Sequence, residues 1–262
     1  MLASTRVTLR ATVIFTLTAS IEVVLHELAH ATAAIAIGGR PVVLYPGAVT
    51  PGNVTPSQYA VIAAAGPLFS LVMFGIGLAA CRRLRARNET RLAAVWFTFH
   101  SFIGSVGYLI LTPFGTNDLG GIAHVFHLAP LVRWGMFGAG IWAMTKIDGV
   151  LAPTLAELAP ADVTTPTARA SYVTRTAIVP WLVFGAMRLA IDLPLQSIFV
   201  LGPTIGMGIP ILGTYSAARK RGDLPAGAGT WREGVPWLLL IADVALLVVN
   251  RFVLHAGLTL AR

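Results

Sequence analysis

His26, Glu27 and His30 lie within "VVLHELAHATAAIAIGG", residues 23–39, a stretch that otherwise reads as hydrocarbon. On a helix, positions i and i+4 stand above one another on one face, so His26 and His30 can offer two imidazoles to one metal ion. Glu27 follows the first histidine and projects beside such a site, close enough to take a proton from a metal-bound water. This is the HExxH arrangement of zinc hydrolases, in which the metal lowers the pKa of its water towards about 7 and the glutamate acts as general base. The bland alternative is a chance match in an alanine-rich helix. Within a membrane span that alternative weakens, because each ionisable group there costs roughly 2.5–3.5 kcal/mol on insertion scales. Three such groups so close together need a partner, and a metal supplies one. Glu22, a turn earlier, extends the polar face.

Two histidines leave zinc short of a third protein ligand, since a catalytic site usually has three plus water. Counting crossings, the end of a third span and the start of a fourth return to the side where the first span ends. There stands "GYLILTPFGTNDLGGI", residues 107–122, in which Asp118 is the only charge. Pro113, Gly115, Gly120 and Gly121 predict a break in the helix, which is acceptable at membrane depth only where it lines protein or a cavity. A carboxylate on a broken helix facing two histidines is a natural third ligand. The alternative is a loop aspartate capping the fourth helix, for which Asn117 is an equally good cap.

The elements that must position these residues follow from composition. The chain has 262 residues, 56% hydrophobic and only 11% charged, with a mean hydropathy of +0.76. Soluble domains carry about a quarter charged residues, so the expected fold class is all-α: a polytopic helical membrane protein of roughly six to eight spans. Spans are expected near 11–37, 57–80, 91–112, 118–145, 173–192, 195–215 and 235–257, each close to the roughly 20 residues a crossing needs. Pro180, Pro194, Pro203 and Pro210 interrupt the fifth and sixth, which read as two kinked spans or a partly re-entrant segment. "PTLAELAPADVTTPTARA" (153–170) reads as a flexible polar linker. The expected organisation is a membrane-embedded core over 1–147, a linker over 148–172 and accessory transmembrane helices over 173–262. Arg6 and Arg10 before an apolar run suggest a signal peptide, but the apolar helix continues to Ile37, too long for a usual h-region. Cys81 stands alone, so no internal disulfide is available.

The net charge of +8 does not point to nucleic acid, because the basic residues sit between apolar spans rather than on a soluble face. They suit membrane topology and anionic headgroups. The expected partners are the lipid bilayer and a membrane-protein substrate, in a bacterial or archaeal cell membrane. No sequence feature specifies an oligomeric state.

Three ordered elements resemble the site-2 proteases, the intramembrane zinc metalloproteases that cut transmembrane or membrane-proximal segments: "HELAH" on the first span, "AAAGPLFS" (63–70) on the second and "TPFGTNDLGG" (112–121) at the fourth. The family typically shows HExxH, then Gly-Pro-x-x-Asn, then Asn-Leu-Leu-Pro leading to Leu-Asp-Gly. Pro113 precedes Asp118 by the five residues expected of that last motif. The resemblance covers about residues 20–125. It implies that His26, His30 and Asp118 hold one zinc ion and that Glu27 is the catalytic base. Ser70 stands where the family often has asparagine, Ile110 stands where the Asn before Leu-Leu-Pro would be, and Asp118 is followed by "LGG". The substrate-holding or oxyanion role of those asparagines is left to Asn117 or Ser70.

Between the first two spans, "RPVVLYPGAVTPGN" (40–53) has strand composition over Val42–Tyr45, with Pro-Gly pairs marking turns. An extended segment there, with Val43 at its centre, could pair with an unwound substrate by strand addition; an ordinary interfacial loop is the alternative. Gly66 and Pro67 read as close-packing and kink residues. His124 and His127 share a helical face and could add a ligand or shuttle protons, although interfacial histidines are commoner. His100 and His255 read as structural, Arg188 and Asp192 as a pair four apart, and Asp243 as an acid without an evident partner.

Most of the 19 Lys and Arg fall in the N-terminus, 82–91, 146–175 and 214–233. These segments share one side, which the positive-inside rule makes cytoplasmic. The metal ligands then lie towards the outer face, whereas the resemblance implies a site nearer the cytosol. The expected function is a zinc-dependent intramembrane endopeptidase. The alternative is a non-catalytic metal-binding membrane protein with a transport, binding or structural role, which would need ligands but no adjacent base.

Overall fold

The computed structural model describes residues 2–45, 48–84, 88–115, 117–192, 202, 204–232 and 234–261. Helix α1 (Leu2–Ala36) contains neither Gly nor Pro and runs unbroken until Gly38, which takes a left-handed φ of 84°. Strands β1 (Val42–Tyr45) and β2 (Ala48–Thr50) follow as an antiparallel pair, with Val43 opposite Thr50. The strand expected over Val42–Tyr45 is therefore present; the first Pro-Gly turn, at 46–47, lies outside the described residues.

Helix α2 (Pro56–Arg83) opens on a capping box in which Thr55 and Gln58 satisfy each other's backbone N–H, with Pro56 in the first turn. Helix α3 (Glu89–Ser105) is capped by Asn88 and continues as a 3-10 segment, Val106–Phe114, that ends on Gly115 at φ 67°. Four described stretches are long and apolar enough to cross a membrane: Thr5–Ala36, Pro56–Arg83, Glu89–Phe114 and Trp237–Leu254.

The expected fourth span, 118–145, is not one helix. It divides into α4 (Asp118–Val125) and α5 (Pro130–Lys146), because His127 adopts φ 48° and Pro130 starts the next helix. The segment 148–172 is not a flexible linker either. Most of it is α6 (Asp148–Leu158) and α7 (Pro166–Val173), and Leu151, Leu155 and Leu158 are fully buried. These apolar residues recur at three- and four-residue spacing, so they form a packed stripe despite the polar positions between them.

After a π-helical turn (Thr174–Ile178), α8 (Val179–Asp192) completes a helical run that carries Arg175 and Arg188. Of the expected sixth span, residues 195–201 and 203 lie outside the described residues; α9 (Gly208–Lys220) follows them. Helix α10 (Trp237–Val248) ends in a π turn and leads to β3 (Leu258–Ala261), which pairs antiparallel with β1. The sheet order is β2-β1-β3.

One cluster of buried apolar residues runs from Ala11 and Phe15 through Trp96, Phe99, Met144 and Leu155 to Ile211 and Leu224. Among the described residues this cluster includes side chains from both 1–147 and the later helices. Polar contacts gather the basic segments on one end. Arg10 reaches Glu89 at 2.6 Å and the Gly234 carbonyl at 2.7 Å, and Arg91 reaches Glu157 at 2.6 Å. These contacts bring the start of α1, the start of α3, α6 and the segment before α10 close together.

Candidate metal centre

Helix α1 presents His26, Glu27 and His30 on its buried face, and their ligand atoms lie within 4.8 Å of one another, close enough to hold a metal ion. Helix α4 brings Asp118 to them. Its Oδ2 lies 3.3 Å from His26 Nε2 and 3.2 Å from His30 Nε2. Asp118 is the first residue of its helix because Asn117 is the cap: Asn117 Oδ1 accepts from Gly120 N–H at 2.8 Å. The two residues thus divide the roles that the sequence left open, Asn117 ending the break and Asp118 facing the histidines.

The rings are held in one tautomer. His30 Nδ1 lies 2.6 Å from the Ile62 carbonyl, which can only accept, so Nδ1 carries the proton and, in the neutral ring, Nε2 holds the lone pair. That short bond outweighs the 3.4 Å approach of the Gly66 N–H to the same nitrogen. Ser70 Oγ donates to Glu22 Oε1 at 2.6 Å and lies 2.9 Å from His26 Nδ1. With its own proton committed to Glu22, Ser70 accepts from His26 Nδ1–H, and the free lone pair is again on Nε2. A ligating histidine characteristically has such an outer partner on its second nitrogen.

Helix α2 passes close enough that a Cβ on Gly66 would collide with both Nε2 atoms, and a Cβ on Gly104 of α3 would meet Glu22 Oε1 and Ser70 Oγ. Both glycines keep space for polar side chains, a stricter demand than general close packing.

The histidines open onto a cavity of about 540 Å³, lined also by Val49, Tyr59, Tyr108, Leu111, Arg188 and Met207. Tyr108 sets its ring edge against His26 at 5.4 Å between centroids. Arg188, buried on α8, faces the same space. By formal charge, Glu22, Glu27 and Asp118 outnumber Arg188 by two. Buried charge is stable only when compensated, so one divalent cation would balance the cavity.

The three expected substrate-binding positions sit in different surroundings. Ser70 is fully buried behind His26, off the cavity lining. Asn117 lines the cavity, but its amide is spent on Gly120 N–H and on the Tyr108 carbonyl, 2.7 Å away. Val43 pairs with Thr50 on one side and Thr259 on the other, so β1 has no free edge. The reason is β3, which occupies the edge of β1 opposite β2. The exposed edge beside the cavity belongs to β2, whose Ala48 and Val49 line it.

His124 and His127 lie 6.4 Å apart between ring centroids at the end of α4 and do not line the cavity. His100 borders the cavity within a ring of Phe15, Phe99 and Phe184, in keeping with a structural residue. Asp243 has a partner after all: Thr16 Oγ1 of α1 donates to its Oδ2 at 2.6 Å. The Asp192 side chain lies outside the described residues, and with it the expected Arg188–Asp192 pair. Reasoning from sequence missed the Glu22–Ser70–His26 chain and the place of Arg188 in the cavity. Glu22 and Arg188, both ionisable within apolar runs, were the available signals.

No family model, curated protein or solved structure matches this chain. What the centre can do follows from its own residues.

Proposed function

We propose that the chain is a zinc-dependent intramembrane endopeptidase of the site-2 protease type, with His26, His30 and Asp118 as ligands and Glu27 as general base. One observation carries the reading: two Nε2 lone pairs and Asp118 Oδ2 converge with N···O separations of 3.2 and 3.3 Å. Zinc bound at about 2.0–2.1 Å with tetrahedral angles sets its ligands about 3.3–3.4 Å apart. The formal charge of the cavity and the absence of a side chain at Gly66 favour the same occupant. Four helices long and apolar enough to cross a membrane favour a multi-pass membrane protein.

Bound there, zinc would lower the pKa of a coordinated water towards about 7 and polarise a peptide carbonyl. Glu27 takes a proton from the attacking water and delivers it to the departing amide nitrogen, as expected of a general base in a water-poor site. Ser70 and the Ile62 carbonyl keep both imidazoles oriented. The apolar lining, from Val49, Leu111 and Met207, suits a membrane-protein segment, and β2 offers it an edge on which to lie extended once its helix has unwound.

The test measures zinc in detergent-purified protein together with cleavage of a transmembrane reporter, in wild type, His26→Ala, Asp118→Ala and Glu27→Gln. The reading expects one zinc per chain, lost in the two ligand variants and kept in Glu27→Gln, with cleavage lost in all three. Wild type without zinc in unstripped protein would sink the metal centre. Full cellular function in a zinc-loaded Glu27→Gln variant would make the centre non-catalytic.

A further inference from the structure

A second cavity, of about 420 Å³, lies away from the metal centre, between α7 with its π turn and α9. Arg175 and Arg219 line it, together with the hydroxyl groups of Thr167, Ser171, Thr174 and Tyr215. Neither arginine has a carboxylate partner among the described residues. The neighbouring Arg221 is committed: its Nη2 meets Asp223 Oδ2 at 2.8 Å and holds that exposed carboxyl below its usual range. Thr174 donates to the Ala170 carbonyl, but the hydroxyl groups of Thr167, Ser171 and Tyr215 have no intramolecular partner among the described residues. The cavity thus offers two cationic forks and several hydroxyl donors, with no acid on its lining. Guanidinium groups pair with phosphate oxygens in a planar, bidentate way, and hydroxyl groups complete the shell of such an anion.

Its place in the fold selects the source of the phosphate. The first turn of α7 and the last turn of α9 meet here, tied by Arg169 Nη1 to the Arg221 carbonyl. These segments belong to the basic end of the molecule, the side that the positive-inside rule makes cytoplasmic. Away from the cavity the surface turns apolar. Leu212 lies one turn before Tyr215 on α9 and is 52% exposed, and Leu182 on α8 lies two turns after Arg175 and is 56% exposed. A charged, hydroxyl-rich pocket that gives way to exposed leucines matches a molecule with an anionic head and hydrocarbon tails. Basic pockets between helices on the cytoplasmic side are where lipid headgroups are held.

We propose that this cavity binds the phosphodiester headgroup of an anionic phospholipid from the leaflet on the basic side. Arg175 and Arg219 grip the phosphate, Ser171 and Tyr215 hydrogen-bond the glycerol or phosphate oxygens, and the acyl chains run past Leu182 and Leu212. The site is independent of the metal centre and of what that centre catalyses.

The experiment uses the full chain in detergent, titrated with phosphatidylglycerol or phosphatidylcholine and read by native mass spectrometry. Wild type is compared with the Arg175→Gln/Arg219→Gln double variant, with Arg175→Lys/Arg219→Lys and with Arg232→Gln as a basic-residue control. Intact helicity by circular dichroism qualifies each variant, and the lysine pair covers the case in which the glutamine pair does not fold. Phosphatidylglycerol is expected to bind wild type at least tenfold more tightly than phosphatidylcholine. The glutamine pair should lose about tenfold or more of that affinity, the lysine pair should lose part of it because the fork is gone, and Arg232→Gln should lose none. A folded lysine pair and glutamine pair that both bind like wild type would overturn the site. Displacement of the lipid by millimolar inorganic phosphate would overturn the lipid assignment and leave a soluble-phosphate site in its place.

Discussion

Charge is buried at both ends of this molecule, and the two ends handle it in opposite ways. At the basic end Arg10 meets Glu89 at 2.6 Å and also donates to the Gly234 carbonyl, while Arg91 meets Glu157 at 2.6 Å. Every one of those cations has its acid, and the contacts join segments far apart in sequence. At the cavity, Glu22, Glu27 and Asp118 face a single guanidinium, Arg188, and two imidazoles whose lone pairs point at a carboxylate oxygen. The first arrangement is complete in itself and serves the fold, and the second could hold an added cation.

Substitutions can break that contrast, and the ligands should do so most strongly. Asp118→Ala or His26→Ala is expected to abolish stoichiometric zinc, as measured by elemental analysis, with helicity retained. Glu27→Gln should keep the metal and lower the rate of peptide cleavage by about 10²–10⁴-fold, the usual scale of general-base loss. Ser70→Ala removes the acceptor for His26 Nδ1–H and should weaken zinc about 10–100-fold in a competitive chelator titration. At the other end, Glu89→Gln leaves Arg10 with the Gly234 carbonyl alone. It is expected to cost about 1–3 kcal/mol in a denaturation assay and to leave zinc affinity unchanged. The smallest effect should be that of Thr16→Val, which deprives Asp243 of one hydrogen bond at about 1 kcal/mol. If Glu89→Gln released zinc, the division between the two ends would fail.

How much of this was legible in the sequence depended on the range of the interaction. Helical spacing within "HELAH" is local, so the pairing of His26 with His30 could be read directly. The strand at Val42–Tyr45 showed in β-branched residues between turn formers. Asp118 could be reached by counting crossings, because a lone carboxylate beside a broken helix has few other uses. The short strand Leu258–Ala261 gives almost no signal in four residues, and only its pairing with β1 reveals it. Ser70 read as a substrate contact because a serine alone does not announce that its neighbours will be Glu22 and His26. The stripe of α6 was hidden by Pro, Thr and Glu between its leucines, which drew it towards a linker. In each miss, the deciding partner lay on another element.

The pairing of Val42 with Ala261 also has a consequence for timing. Nearly the whole chain separates those residues, and contacts of such long range close late because the loop between them must first be organised. During synthesis β1 therefore waits with one edge unpaired while the later helices insert. The sheet beside the cavity reaches its final width only when the last strand arrives. Until β3 arrives, β1 and β2 stand beside the cavity as a two-stranded pair, so the sheet there is completed only after the later helices are made.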